Sequence, residues 1–309
     1  MQQLIFRKFS EDYHGIFYMI LCCFFISLMV AIVKHLSKEF HIFFILMLRN
    51  FFSLLFFIPS IFRNYKTLLT TKKIHLHCFR SANGMLSMLC WFYAITLLPL
   101  SEAVSISFIV PFTTTLAAML FLKEKVRKRN WMASFFGLIG VVIILRPGFK
   151  ELATGHYFVF AAVFLWTISN LLLKIMSKTE KPKTIVAYMS FIMLIISIPF
   201  ALPFLKPING YVNLFWFLAL GLISNLSYFS LSFAYTKSDI SLLQPFDFTR
   251  LVFISVIAYF AFGEVIDYWI ICGSFVILCG VLIMLPKRKR DKLYQFPSKN
   301  KQYDKIFLR

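Results

Sequence analysis

Displaced by 140 residues, the chain aligns with itself without a gap from residue 15 to residue 285. Gly15 falls on Gly155, Phe24 on Phe164, Lys34 on Lys174, Ser37 on Ser177 and Lys38 on Lys178. The register holds further along: Pro59 meets Pro199, Ser87 meets Ser227, Ala94 meets Ala234, Glu124 meets Glu264, Gly140 meets Gly280 and Leu145 meets Leu285. Each copy carries five long apolar stretches. Five is odd, so the second copy must enter a membrane the opposite way up from the first. Inverted repeats of this kind build many secondary transporters.

The apolar runs are of the length that crosses a hydrocarbon core, about 20 residues each. They lie near 14–34, 41–62, 78–98, 101–122, 130–146, 155–174, 184–205, 211–235, 238–262 and 267–286. With 60% hydrophobic and only 15% charged residues, the chain has too little charge for a water-soluble domain of its size. The runs are continuous rather than alternating, which disfavours barrel strands and leaves helices that close their own backbone hydrogen bonds. The expected fold is an all-α integral membrane protein of ten transmembrane helices in two inverted five-helix repeats. The first repeat covers 14–146, the second 155–286, and a basic tail runs over 287–309.

A net charge of +20 raises the question of nucleic acid. The charge, however, crowds one set of loops and the C-terminal tail: Arg7 and Lys8, Lys72 and Lys73, Lys123 to Arg129, Lys178 to Lys183, and Lys287 to Lys292. That is the positive-inside pattern, and it puts both termini in the cytoplasm of a multi-pass inner-membrane protein. The bilayer, not nucleic acid, is the expected large partner. No cleavable signal peptide is expected, because Glu11, Asp12 and His14 precede the first apolar run. The six cysteines show no metal spacing and read as buried, inert thiols. No metal site, cofactor or catalytic motif is expected.

Polar groups inside the apolar runs carry the functional reading, since an ionisable side chain at a helix centre costs at least ~2.5–3.5 kcal/mol. Arg49 and Arg250 fall near the middle of spans 2 and 9, while Arg80, in the first turns of span 3, is within snorkelling reach of the cytoplasmic surface. Of the acids, Glu102 opens span 4 and Asp247 precedes Arg250 by three residues. These charges occur in one copy only: the repeat partners of Arg49, Glu102, Asp247 and Arg250 are Met189, Leu242, Ser107 and Val110. Single-copy charges suit an asymmetric substrate. The bland alternatives stay open: Asp247 and Arg250 share a helix face and can pair, and Arg49 can satisfy freed carbonyls.

Pro111 in span 4 and Pro245 in span 9 each remove a backbone donor and clash with the carbonyl four residues earlier, at Ser107 and Ser241. Either they only kink their helices, or they free carbonyls toward a wet pathway, with Gln244 beside them. Asn83, Trp91, Tyr93, Trp166, Asn170, Asn225 and Tyr228 complete the mid-depth set, as substrate contacts or as helix–helix glue. The glycines of spans 5 and 10 suggest scaffold or subunit contact.

The stretch from Trp91 through Leu98-Pro-Leu-Ser-Glu-Ala103, then Pro111, Leu122-Lys-Glu124, Gly137-x-x-Gly140 and Arg146-Pro-Gly148, resembles one half of an EamA-type transporter. Pro245 to Phe253, Phe262-Gly-Glu264 and Gly280 resemble the other half. The resemblance covers about residues 14–286. It implies membership of the drug/metabolite transporter superfamily, with amino acids, other metabolites and S-adenosylmethionine among the cargoes of relatives. It also implies that Glu124 and Glu264 match the family's acids at the ends of spans 4 and 9. Span 1 lacks the deep acid of the small multidrug relatives, which disfavours multidrug cation efflux.

The expected function is alternating-access transport of a small organic metabolite, an amino acid or an S-adenosylmethionine-like compound. Arg49 and Arg250 would attract its anionic part, and Glu102 or Asp247 would carry a coupling proton. A counter-substrate and a homodimer partner are left open. The alternative is a non-transporting membrane subunit or a lipid-modifying membrane enzyme.

Overall fold

The computed structural model describes residues 2–58, 71, 73–98, 106–145, 153–208, 210–262 and 268–284. Glu102, Glu264, Pro59, the Arg146-Pro-Gly148 stretch and the tail 287–309 lie outside the described residues. Every regular element among the described residues is helical. In chain order these are α1 (Gln2–Leu36), α2 (Ile42–Leu55), α3 (Ile74–Leu97), α4 (Val110–Phe121) and α5 (Lys128–Leu145). The second copy supplies α6 (Thr154–Ser177), α7 (Pro182–Ala201), α8 (Tyr211–Lys237), an interrupted α9 and α10 (Tyr268–Met284). The pieces of α9 are Ile240–Leu243, a 3-10 turn over Gln244–Phe248, and Thr249–Phe262.

Sequence chemistry sets several of these boundaries. Pro182 opens α7 at a position whose N–H has no helical partner anyway. His41 caps α2 by accepting from the Phe43 N–H at 3.4 Å through its ring nitrogen. Gly210, at φ +90°, supplies the left-handed residue from which α8 departs. Among the described residues, five helical segments are long and apolar enough to cross a bilayer: Glu11–Leu36, Thr154–Ser177, Pro182–Phe204, Tyr211–Lys237 and Ile240–Ala261. Ile42–Leu55, Val110–Phe121 and Ile271–Gly280 are shorter apolar helices.

Helix packing follows the duplication. α1 packs on α8, and its repeat counterpart α6 packs on α3. Likewise α2 on α8 is matched by α7 on α3, and α1 on α9 by α6 on α4. The remaining large contacts, α2 with α7 and α5 with α10, join equivalent helices of the two copies. Exchanging the copies leaves these principal contacts unchanged, as a two-fold relation requires.

The α5–α10 seam depends on glycine. A Cβ on Gly140 would lie 2.6 Å from the Gly273 carbonyl oxygen, and one on Gly280 would lie 3.0 Å from that of Ala133. A Cβ on Gly137 would enter the ring of Phe248, in the 3-10 turn of α9. These glycines are therefore used within the chain, which is the scaffold alternative of the sequence reading.

Polarity is distributed inside out. Phe260, Phe275 and Phe164 are exposed on the outer surface, while Arg49, Asn50, Arg80, Asn83, Asn225, Gln244 and Asp247 are buried. An apolar exterior around polar groups is what a bilayer selects. The expectation that all six thiols are buried needs correction: Cys22 and Cys23 are buried, Cys78 is exposed, and Cys90, Cys272 and Cys279 lie between. An apolar helix face turned to lipid has no need to hide a thiol.

Both prolines sit at breaks in their spans, as the kink alternative expects. Pro111 sits in the first turn of α4, just after a turn at Phe108 and Ile109 that separates α4 from helical Ile106 and Ser107. The backbone just before it runs in i to i+3 bonds, Ile109 to Ile106 and Phe112 to Ile109, each 3.0 Å. Its missing N–H costs little there, because the first turn lacks partners in any case. Pro245 stands at the start of the 3-10 turn that divides α9.

Candidate functional site

Three polar groupings occupy the interior, and a fourth closes one end. The first involves α2, α3, α7 and α8. Arg49 is 3% exposed, and its Nη2 donates to Asn50 Oδ1 at 3.2 Å and to the Met88 sulfur at 3.7 Å. Arg80 is 6% exposed, and its Nη1 donates to the Met189 sulfur at 3.1 Å. Met88 and Met189 belong to one apolar cluster with Leu46, Met85, Met193 and Tyr228. The Nε of each arginine has no hydrogen-bond partner among the described residues. Arg80 does not snorkel, contrary to the sequence expectation, because the packing of α3 against α6 and α7 closes over it.

The second grouping sits where α9 breaks beside α1 and α4. Asp247 pairs with Arg250 at 3.3 Å, and the guanidinium lies 5.2 Å above the Phe108 ring. Ser27 on α1 donates to the Arg250 carbonyl at 3.1 Å. Gln244 donates to the Tyr235 hydroxyl at 2.9 Å. The Ser241 carbonyl, released by Pro245, accepts from Asn130 Nδ2 at 2.8 Å. A side chain of α5 thus satisfies this carbonyl, the protein-facing way in which a freed carbonyl is tolerated.

The third grouping links α3, α4 and α6. Asn83 donates to the Leu165 carbonyl and to Ser169 Oγ, both at 2.7 Å. Thr113 and Thr167 share a hydrogen bond of 2.7 Å, and Asn170 donates to Thr114 at 3.4 Å. Trp91 and Trp166 face each other with centroids 5.3 Å apart.

Other sequence candidates fall outside these clusters. Asn225 donates to the Ser53 carbonyl at 2.8 Å and accepts from Ser53 Oγ, so its amide binds α8 to α2. Tyr93 is 53% exposed and stacks on Phe158 at the outer surface. Its position on α3 turns it away from the arginines, because the inward face is taken by Asn83 and Trp91.

At one end, Glu124 follows α4 and accepts from the N–H groups of Ile240 at 3.3 Å and Ser241 at 3.0 Å. A carboxylate there complements the positive N-terminus of α9. Burial, reinforced by Asp239, raises the Glu124 pKa above the ordinary glutamate range, and the two N–H bonds oppose that rise. Lys174 closes the neighbouring helix end by donating to the carbonyls of Tyr235 (2.9 Å) and Ser238, with Asp239 at 3.9 Å.

Two matches to the EamA-like transporter family model cover residues 13–146 and 153–285, one for each copy. The chain belongs to the EamA-like transporter family. Its function is that of a multi-pass membrane transporter for a small molecule, and the enzyme alternative gives way to it. The S-adenosylmethionine uptake transporter of Rickettsia felis is 27% identical over 83% of this chain and 87% of its own length. That of Rickettsia prowazekii is 24% identical over 88% and 94%. The riboflavin transporter of Vibrio cholerae is 26% identical over 69% and 72%. A crystal structure superposes with a TM-score of 0.74 at 15% identity, over 89% of this chain and 98% of the other, which shows a shared fold alone.

The sequence reading missed two residues. Asn130 sits next to a basic loop and gave no sign that it answers Pro245. Arg80 was visible as a charge, but its depth depends on which helices cover α3.

Proposed function

We propose that this chain is a secondary transporter of the inner membrane, moving an amino-acid-bearing metabolite of the S-adenosylmethionine type by alternating access. Its ten helices each cross the bilayer, and both termini are cytoplasmic. The repeats, 14–146 and 155–286, rock against each other along the seams that α2 forms with α7 and α5 forms with α10. The observation that carries this reading is the exchange-symmetric packing of two polar-cored repeats. Such an arrangement has two equivalent ways to open, one toward each face. Relatives named for S-adenosylmethionine uptake favour that cargo over riboflavin, as does a core holding arginines.

Substrate contacts are assigned to Arg49, Asn83, Trp91, Trp166, Asn170, Tyr228 and Gln244. Tyr93 and Asn225 take supporting places, on the outer surface and in the α2–α8 contact. Asp247 is the coupling carboxylate: its protonation would release Arg250, so that proton and cargo exchange one guanidinium between them. Glu102 is the second candidate for that role, and Pro111 and Pro245 mark the hinges. A counter-substrate in place of the proton would serve the same cycle.

Counterflow in proteoliposomes tests the reading. Preloaded S-adenosylmethionine should drive accumulation of labelled S-adenosylmethionine, and riboflavin should not. Absence of counterflow with both compounds would remove the cargo assignment. Cysteines placed at Lys125 and Lys206 should label from opposite sides of the membrane, and labelling from one side would remove the topology.

A further inference from the structure

Three buried cations among the described residues invite comparison. Lys174 has Asp239 at 3.9 Å, and it caps two carbonyls. Arg49 and Arg80 have no carboxylate within ion-pair distance among the described residues; a methionine sulfur stands where a counter-ion would. Even the less buried Arg250 has Asp247. A thioether is a weak acceptor, and a guanidinium cannot shed its proton to escape the apolar interior. Each of these two guanidinium groups also keeps an unpartnered Nε.

The repeat places them in relation. Met189, which accepts from Arg80, is the residue that Arg49 becomes when the first copy is laid on the second. Met88, which accepts from Arg49, is laid on Tyr228. All of Met88, Met189 and Tyr228 meet in one cluster, and α2 and α7 pack directly against each other. Arg49 and Arg80, both of the first copy, therefore border the same soft core, Arg49 through Met88 of its own copy and Arg80 through Met189 of the other. A charge withheld from water and given no counter-charge is the costly arrangement that a ligand can relieve.

We propose that Arg49 and Arg80 form an anion subsite that takes the carboxylate of the cargo, displacing the two sulfur contacts. This rests on the transporter reading and adds to it a chemical class: amino-acid-bearing compounds bind, and their decarboxylated counterparts bind poorly. Arg250, already paired, is not part of the resting subsite. A guanidinium offers two parallel donors to a carboxylate, so geometry as well as charge selects the ligand.

The test is equilibrium binding to the purified full chain, with S-adenosylmethionine and decarboxylated S-adenosylmethionine as matched probes. Wild type should prefer the carboxylate form by roughly tenfold or more, the weight of a charge-assisted contact. Arg49→Gln and Arg80→Gln should each bring that preference toward unity while leaving the decarboxylated probe little changed. If Arg80→Gln fails to fold, Arg80→Lys keeps the charge without the fork and should lower the preference several-fold. Wild type binding both probes alike, or not at all, overturns the subsite. So does a preference that survives the substitutions. Counterflow is scored separately, so positive counterflow without carboxylate preference removes the subsite and leaves the transporter standing.

Discussion

Asn130 on α5 donates its side-chain N–H to the carbonyl of Ser241, the group that Pro245 deprives of its helical partner four residues on. A break in a membrane helix is tolerated when the freed carbonyl finds a donor. Here the donor comes from the other repeat, so the break in α9 is tied to the position of α5.

Asn130→Ala is expected to destabilise the protein by about 1–3 kcal/mol, the penalty of a buried acceptor left unpaired. In a Pro245→Ala background the same change should cost less, because an alanine at 245 can donate to Ser241. A double-mutant cycle on thermal unfolding in detergent measures the difference, and equal costs in both backgrounds would break the link.

The Asp247–Arg250 pair, at 3.3 Å, sits over Phe108. Asp247→Asn should cost roughly 1.5–3 kcal/mol as a lost charged hydrogen bond. Adding Arg250→Gln should recover part of that loss, since the stranded cation is then removed. Unfolding of both single variants and the double variant gives the coupling energy.

Glu124 has its pKa raised by burial, followed by the charge of Asp239. The folded state therefore holds this proton more tightly than the unfolded chain. The group favours folding most at a pH below its unfolded pKa, and that contribution is lost as pH rises through the raised folded value. Glu124→Gln should flatten the pH dependence of the melting temperature across that window. An unchanged slope would show that Glu124 is not responsible for it.

Gly140→Val is expected to destabilise by several kcal/mol or prevent folding, since its Cβ would already lie 2.6 Å from the Gly273 carbonyl oxygen. Gly84→Ala, whose Cβ would meet only the end of Met193 at 3.8 Å, should be nearly neutral. Expression and melting temperature of the two variants, measured side by side, check the contrast.

The duplication, the helical class and the transporter reading were open to inspection in the sequence, because each rests on properties local to a stretch of chain. Run length gives helices, the odd count gives inversion, and residue type gives scarce charges. The same logic paired Asp247 with Arg250, three residues apart on one helix. Arg80 escaped it. Six residues into α3 is near enough to a loop for a free arginine to reach water, and only the cover provided by α6 and α7 prevents this. Pro111 was legible as a break in its span, and the structure adds where the helix resumes, at Val110.

What the order of residues determined alone was the set of helices, their pairing as two copies and part of the buried charge, Arg49 and the Asp247–Arg250 pair. What only the tertiary structure decided was which buried charges are answered: Lys174 by Asp239, the Ser241 carbonyl by Asn130, and Arg49 and Arg80 by methionine sulfur. Covalent neighbours fix the cost of burying a polar group, but its partner comes from a helix distant in sequence, and that choice is made only when the helices pack.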